Sequence, residues 1–403
     1  LPADALLVDG KRRARPSGTS APSRRAAPPR RVDPAQRGAA AAPAGLPLRG
    51  VRVLDMTQFL AGPFAGQTLA ALGADVVVVE SAKRLVTRSF GPFGGEPRHE
   101  ASMNFTYCCR GKRSAALNLK TDEAREALDE LIRSCDVVIE NFSARFAEQL
   151  GLSFGRLKTL RPDIIVGSLS AFGRSGPYGR YIGLHSGVMA MSGLASVTRD
   201  ELGRPRFLGS ALPDTLSGTY LALAVVQALA QRDRTGEGCQ LELSMLDVGL
   251  LCMGGLVPGA AETDPQLCHT ARFLRVAEPE RFVAVDAPEL DEAAWAAIER
   301  EVAGLSRADA TALLQGRGLR AGAVQDLLDV IADPHLVARG FVAQDDHPVA
   351  GRNPAPGVAW LYDGERPQLP HAPLLGADTD AVLASAGIEA GRLEALRAAG
   401  ALE

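Results

Sequence analysis

Two titratable residues stand where their chemistry could be used. Asp214, in ALPDTLSGTYLALAVVQAL, comes immediately before an apolar helical run that starts near Leu216, and it reads first as an N-cap. A carboxylate there is held ionised by the free N–H groups of the first turn and by the helix dipole, which also favour an oxyanion formed beside it. His185, in YIGLHSGVMAMSG, could carry a proton to or from a reacting carbon, although a lone His is more often structural. The common catalytic signatures are missing. There is no G-x-S-x-G elbow, Walker loop or H-E-x-x-H, which removes the usual hydrolase, kinase and metalloprotease readings. GPFGGEP at 91–97 lacks the spacing and strand-to-helix context of a dinucleotide loop and reads as a surface turn. The six cysteines (Cys108, Cys109, Cys135, Cys239, Cys252, Cys268) include no C-x-x-C pair, which argues against a zinc site or a disulfide framework and suits a reducing cytoplasm.

The elements that must position these residues alternate strand and helix. VRVLDM, then FLAGPFAGQTLAALGA, then DVVVVE make a βαβ unit; TDEAREALDELIRSC is a helix feeding DVVIEN, and DIIVGSLS is a further strand. Such alternation predicts a mostly parallel, doubly wound, Rossmann-like sheet of the α/β class, in which ligands sit beyond the carboxyl ends of strands. Asp55 to Pro63 and Glu140 to Phe142 occupy two such ends. QLELSMLDVGLL begins as a strand and ends as a helix. Four regions follow from texture: a disordered Ala/Pro/Arg tail or linker over 1–45, a large domain over 46–257, a smaller α+β domain over 258–345, and a C-terminal segment over 346–403. The Leu start, with no signal-peptide core after it, reads as a processed or excised piece of a longer chain. At 403 residues, 46% hydrophobic and a net charge of −3, the chain can bury two cores and has no global attraction to nucleic acid or anionic membrane. Its longest apolar runs are far shorter than a membrane span.

An ordered series of blocks carries the functional reading. GVRVLDMTQFLAGPFAGQTLAALGADVVVVE, RGKRSAALNLK, DVVIENF, SLSAFGRSGPYGR, GVMAMSGL, ALPDTLSGTYLALAVVQAL and RTGEGCQLELSMLD resemble, in register, the successive blocks of the family III CoA-transferases, which include formyl-CoA transferase, carnitine CoA-transferase and α-methylacyl-CoA racemase. A weaker match resumes from ATALLQGRGLRAGAVQDLLDVIADPHLVARGFV through HPVAG to APLLGADTD, where family members return to the large domain. The resemblance implies that Asp214 is the catalytic carboxylate of a CoA-transferase. It attacks an acyl-CoA thioester and relays CoA to an acceptor carboxylic acid through covalent aspartyl intermediates, with no metal and no cofactor beyond CoA as substrate. It also implies CoA contacts from Gln58, Ala61, Leu117, Lys120, Asn141, Phe142 and Met245. Lys112 and Arg113 are expected beside the phosphates, which need cations. The partners implied are acyl-CoA, a carboxylic acid and a second copy in an interlocked homodimer.

Three departures from the family pattern shape the expectation. Leu60 replaces a Gln of formyl-CoA transferase's first loop and Ser81 replaces an Arg after the second strand, which argues against oxalate or formate and for a different adenosine-phosphate contact. The region from about 256 to 300 is short, and the glycine-rich loop that closes some transferases is not evident. His185 falls one residue beyond the racemase His, a rotation of about 100° on a helix, enough to aim the imidazole elsewhere. Two alternatives stay open: a racemase using His185 with Asp214, and a noncatalytic subunit or fused half.

Overall fold

The computed structural model describes residues 45–200, 202–253 and 271–403. The expected tail over 1–45 lies outside the described residues except for Gly45, and so does the expected start of a small domain at 258. Six short strands make one sheet: β1 (Arg52–Asp55), β2 (Asp75–Glu80), β3 (Arg113–Ala116), β4 (Val137–Glu140), β5 (Ile165–Ser170) and β6 (Gln240–Ser244). All run parallel, in the order β3-β2-β1-β4-β5-β6. This is the doubly wound, Rossmann-like α/β arrangement, with its topological switch between β1 and β4. Both faces are covered, so Val76, Val77, Val137, Val138, Ile165 and Val166 all lose their solvent. Burial on both faces is why DVVVVE and DVVIEN read as unbroken apolar runs.

Helices α1 (Ala61–Ala71), α2 (Met103–Cys109), α3 (Asp122–Arg133), α4 (Ala144–Gln149) and α5 (Phe154–Leu160) connect the first five strands. The long crossover from β5 to β6 contains α6 (His185–Met191), α7 (Leu194–Val197) and α8 (Leu212–Thr235), and α9 (Met245–Leu251) follows β6. α3 begins where Thr121 accepts a hydrogen bond from the Ala124 N–H, and it turns Leu128, Leu131 and Ile132 onto Val77, Val138 and Val166. The opposite face buries Ala65 and Leu69 of α1 with Leu221 and Val225 of α8. These two helices approach backbone to backbone. A Cβ on Gly218 would lie 2.5 Å from the Ala61 carbonyl oxygen and 3.1 Å from the Ala65 nitrogen, so only glycine permits this crossing.

Beneath α1 lies a fully buried ion pair. Lys112 Nζ donates to Asp55 Oδ2 at 2.8 Å and to the Pro63 carbonyl at 2.7 Å, and both side chains are without solvent exposure. Gly66 makes room, since a Cβ there would sit 2.2 Å from Asp55 Oδ2 and 2.9 Å from Lys112 Nζ. Burial by itself disfavours the ammonium; the Asp55 carboxylate more than reverses this and holds the lysine pKa above its ordinary value.

After the undescribed segment, β7 (Ala271–Arg275), β8 (Phe282–Asp286) and β9 (Arg320–Ala323) form an antiparallel sheet. α10 (Glu292–Val302) and α11 (Arg307–Gly316) cover it, and Val283, Val285, Trp295, Ile298, Val302 and Leu314 make its own core. Two short helices, α12 (Leu327–Ala332) and α13 (Pro334–Ala338), lead to a hairpin of β10 (Val342–His347) and β11 (Gly351–Pro356). The chain then returns to the large sheet with α14 (Thr379–Ser385) and α15 (Ala390–Ala398). The Asp378 carboxylate and the Thr379 hydroxyl accept from the Ser114 and Ala116 N–H groups at 2.9 and 3.0 Å, and Leu402 bridges Leu117. This segment therefore satisfies the outer edge of β3.

Lys112→Met should leave the buried Asp55 charge uncompensated. The expected loss of unfolding free energy is about 3–5 kcal/mol, read from urea denaturation at neutral pH.

Candidate active site

The carboxyl ends of β1 to β4 surround a cavity of about 720 Å³, a size typical of small-molecule sites. Its walls come from four strand-end segments: Thr57 and Gln58, then Glu80 and Ser81 with Lys83 to Thr87, then Leu117 to Lys120, then Phe142 with Phe146. The first loop is rigid. Asn141 uses its side chain like a strand partner: Oδ1 accepts from the Gln58 N–H at 2.8 Å, and Nδ2 donates to the Gln58 carbonyl at 2.7 Å. Thr57 is tied to Asp55 through its N–H and its hydroxyl, so the buried ion pair and this loop are one construction. Phe59 takes φ 69°, a strained region for a bulky residue, and is held there by its N–H to Thr87 Oγ1 at 3.1 Å.

Arg174, in the loop after β5, braces the other wall. It reaches Glu140 Oε1 at 2.5 Å, the Phe142 carbonyl at 3.1 Å and Ser168 Oγ at 2.9 Å, while Glu140 Oε2 accepts from the Phe142 N–H. Phe142 is thus fixed from both sides.

Of the residues expected to contact CoA, Gln58, Leu117, Lys120 and Phe142 line the cavity. Asn141 acts from behind it, through Gln58. Ala61 and Met245 are buried in the core shared by α1, α8 and α9, and neither lines the cavity. The expectation for Lys112 and Arg113 is overturned: Lys112 is spent on Asp55, and Arg113 grips Asp75 through Nε and Nη2 at 2.8 and 2.6 Å. Neither cation faces the cavity, because each sits where a buried carboxylate requires one. The cations that line it are Lys83, Arg84, Lys120 and Arg125. Sequence reasoning missed Lys83 and Arg84, yet they follow Glu80 within four residues, and two cations directly after a strand end were the available signal.

Asp214 and His185 do not line this cavity; they lie on neighbouring helices. α8 opens at Leu212 with Pro213 in its first turn, so Asp214 is the third helical residue rather than the N-cap, and Ala211 holds the cap position. One turn further on, Gly218 presses on the start of α1, which places the first turn of α8 against the helix that follows the Gln58 loop. Asp214 is largely buried. Its Oδ2 has no hydrogen-bond partner among the described residues, and nor does the buried Ser217 hydroxyl.

Burial pushes the Asp214 carboxyl up to about 6, against smaller lowering effects from His185 and from its own backbone N–H. Burial and the helix start therefore pull in opposite directions here, and burial is the larger: the pKa stands above its ordinary value, while the group is still mostly ionised at neutral pH. His185 acts on Asp214 through charge alone, with no hydrogen bond between them.

CoA-transferase family III matches residues 48–279 and 259–379, and the chain belongs to that family of enzymes. The succinyl-CoA:glutarate CoA-transferase of Mus musculus is 28% identical over 89% of this chain and 90% of its own length. The succinate–glutarate CoA-transferase of Agrobacterium fabrum is 39% identical over 206 residues, which spans 50% of this chain and 52% of that protein. A crystal structure of a CaiB/BaiF family protein from Brucella suis superposes with a TM-score of 0.75 at 29% identity, covering 84% of this chain and 99% of the other. Among the described residues no helix is long and apolar enough to cross a membrane.

The raised Asp214 pKa has a sign that can be checked. The folded state holds this proton more tightly than the unfolded chain, so the group lowers stability progressively as pH rises from about 4 to about 6, and the full cost stands above that window. Asp214→Asn should therefore raise the unfolding free energy at pH 7.5 by up to about 3 kcal/mol and give no gain at pH 4, as followed by chemical denaturation at both pH values.

Proposed function

We propose that this chain moves CoA between an acyl-CoA thioester and a carboxylic acid, with Asp214 as the nucleophile. The observation that carries the reading is the buried, unpartnered Asp214 Oδ2 on a helix pressed against the element that follows the cavity loop. An oxygen left without a donor inside the protein is one held ready for a group that arrives from outside.

The steps are as follows. The ionised carboxylate of Asp214 attacks the thioester carbonyl, the carbon–sulfur bond breaks, and an acyl-aspartyl anhydride and CoA thiolate form. The thiolate then attacks the aspartyl carbonyl, releasing the donor's carboxylate and leaving an aspartyl-CoA thioester. The acceptor carboxylate attacks that thioester and regenerates an anhydride and the thiolate. The thiolate finally takes the new acyl group and frees Asp214. The exchange is close to isoenergetic, so what the protein must supply is exclusion of water from the anhydride and a site that stabilises each oxyanion. The route uses no metal and no redox cofactor. Burial of Asp214 serves it twice, by shielding the anhydride from water and by making the carboxylate more reactive once charged.

The names of the relatives, succinyl-CoA:glutarate CoA-transferase among them, favour dicarboxylic acids as the exchanging pair. Exposed Ile182, Leu327 and Leu328, at 87%, 80% and 77%, support assembly as an interlocked homodimer, since such side chains need a partner surface. The free thiols Cys108, Cys109 and Cys135 suit a reducing cytoplasm. A second reading, proton transfer at the carbon next to the thioester, draws on the electrostatic reach of His185 to Asp214.

Purified protein given succinyl-CoA and glutarate should produce glutaryl-CoA, with a CoA adduct trapped on Asp214 by mass spectrometry. Asp214→Asn should lower the exchange rate by about 10³-fold or more. Full activity in that variant would sink the assignment. Deuterium entering a branched acyl-CoA without acyl exchange would select the proton-transfer reading, and neither reaction would select a noncatalytic subunit.

A further inference from the structure

Against the β2 wall of the cavity, in contact with the lining residues Ser81 and Lys83, lies a carboxylate that the proposed chemistry does not use. The Glu403 side chain is 8% exposed. Its Oε2 accepts from Ser81 Oγ at 2.8 Å and from the Ala82 N–H at 2.6 Å, and its Oε1 lies 3.3 Å from Lys83 Nζ in an ion pair without hydrogen-bond alignment. The backbone on either side is fixed, because Leu402 bridges Leu117 and the Glu403 N–H donates to the Ala116 carbonyl at 3.2 Å. A hydroxyl, a backbone N–H just past a strand end and a lysine ammonium form the donor set that takes a phosphate oxyanion. Ser81 and Lys83 both line the cavity, with Arg84, Lys120 and Arg125 on its other walls. Ser81 and Lys83 thus belong both to the cavity wall and to an oxyanion site that one of the chain's own carboxylates occupies from beside it.

We propose that Glu403 is a built-in competitor for a phosphate group at the nucleotide end of CoA: it occupies the Ser81, Ala82 and Lys83 donors in the free protein and must give up Lys83, or share it, when the ligand binds. The inference rests on the reading of the cavity as a CoA site and adds to it a residue that sets how tightly the nucleotide end is held. A ligand bound too tightly by its non-reacting end is released slowly, and CoA must leave this protein in every cycle, so a competing charge in this place limits affinity where no chemistry takes place. Glu403 touches no reacting atom and acts through Lys83.

Glu403→Gln keeps the shape and an oxygen that can accept from Ser81 and Ala82, and removes only the charge. Calorimetric titration of the wild-type chain and this variant with CoA, 3′-dephospho-CoA and pantetheine separates the contributions. The variant should bind CoA on the order of tenfold more tightly, with the gain shrinking at high salt, and should bind pantetheine unchanged. A gain confined to CoA assigns the site to the phosphate monoester; a gain shared by dephospho-CoA assigns it to the diphosphate. Unchanged or weaker CoA binding in Glu403→Gln, or an equal change for all three ligands, would overturn the proposal. Glu403→Ala, which also removes the hydrogen bonds, should likewise tighten CoA binding relative to pantetheine. Wild-type protein that binds none of the three ligands would overturn the CoA reading itself, a failure that no Glu403 variant can mimic.

Discussion

The Asp55–Lys112 pair is the constraint from which the site follows. Two opposite charges without solvent must be matched by each other and by further donors and acceptors, and here every one is used: Lys112 on Asp55 and the Pro63 carbonyl, Asp55 on Lys112 and Thr57. The pair joins the end of β1 to the approach to β3 and to the first turn of α1. The turn that carries Gln58 and the strained Phe59 starts from it, and α1 can lie over it only because position 66 has no side chain. Since α1 also receives the start of α8, the position of Asp214 depends on the same pair at one remove.

Charge is distributed unevenly along the molecule in a way that suits a ligand with a polar and a reactive end. Four cationic side chains line the cavity next to β2 and β3, where water still reaches them. Asp214 is shielded from water, and that desolvation raises its pKa. Phosphates favour the first environment and an anhydride the second, because solvent screens the one and would hydrolyse the other. The cavity walls themselves are held through side chains, Asn141 behind Gln58 and Arg174 behind Phe142.

The layout of the large sheet was legible because its strands are buried on both faces and its helices are strongly patterned; DVVVVE and DVVIEN leave little alternative. The β10–β11 hairpin was not legible, since Pro354 and Pro356 argue against a strand, yet in a two-stranded ribbon they stand where no partner on the outer side requires an N–H. Within the site, the residues on strand-end loops, Gln58, Leu117, Lys120 and Phe142, could be named from sequence. Lys112 and Arg113 could not be placed, because a basic residue beside a strand reads the same whether it faces a phosphate or a carboxylate buried 57 or 38 residues away. The helical register of Asp214 turned on Pro213, which starts a helix as readily as it precedes one.

The return of the chain to β3 also bears on how the protein is made. Ser114 N–H waits for a carboxylate 264 residues later, and Ala116 for a hydroxyl 263 residues later. Until the ribosome has delivered that segment, the large sheet has an open parallel edge, the kind of surface on which nascent chains stick to one another. More than 260 further residues must therefore be synthesised before β3 is sealed, and a cell producing the chain has reason to keep chaperones at hand over that interval.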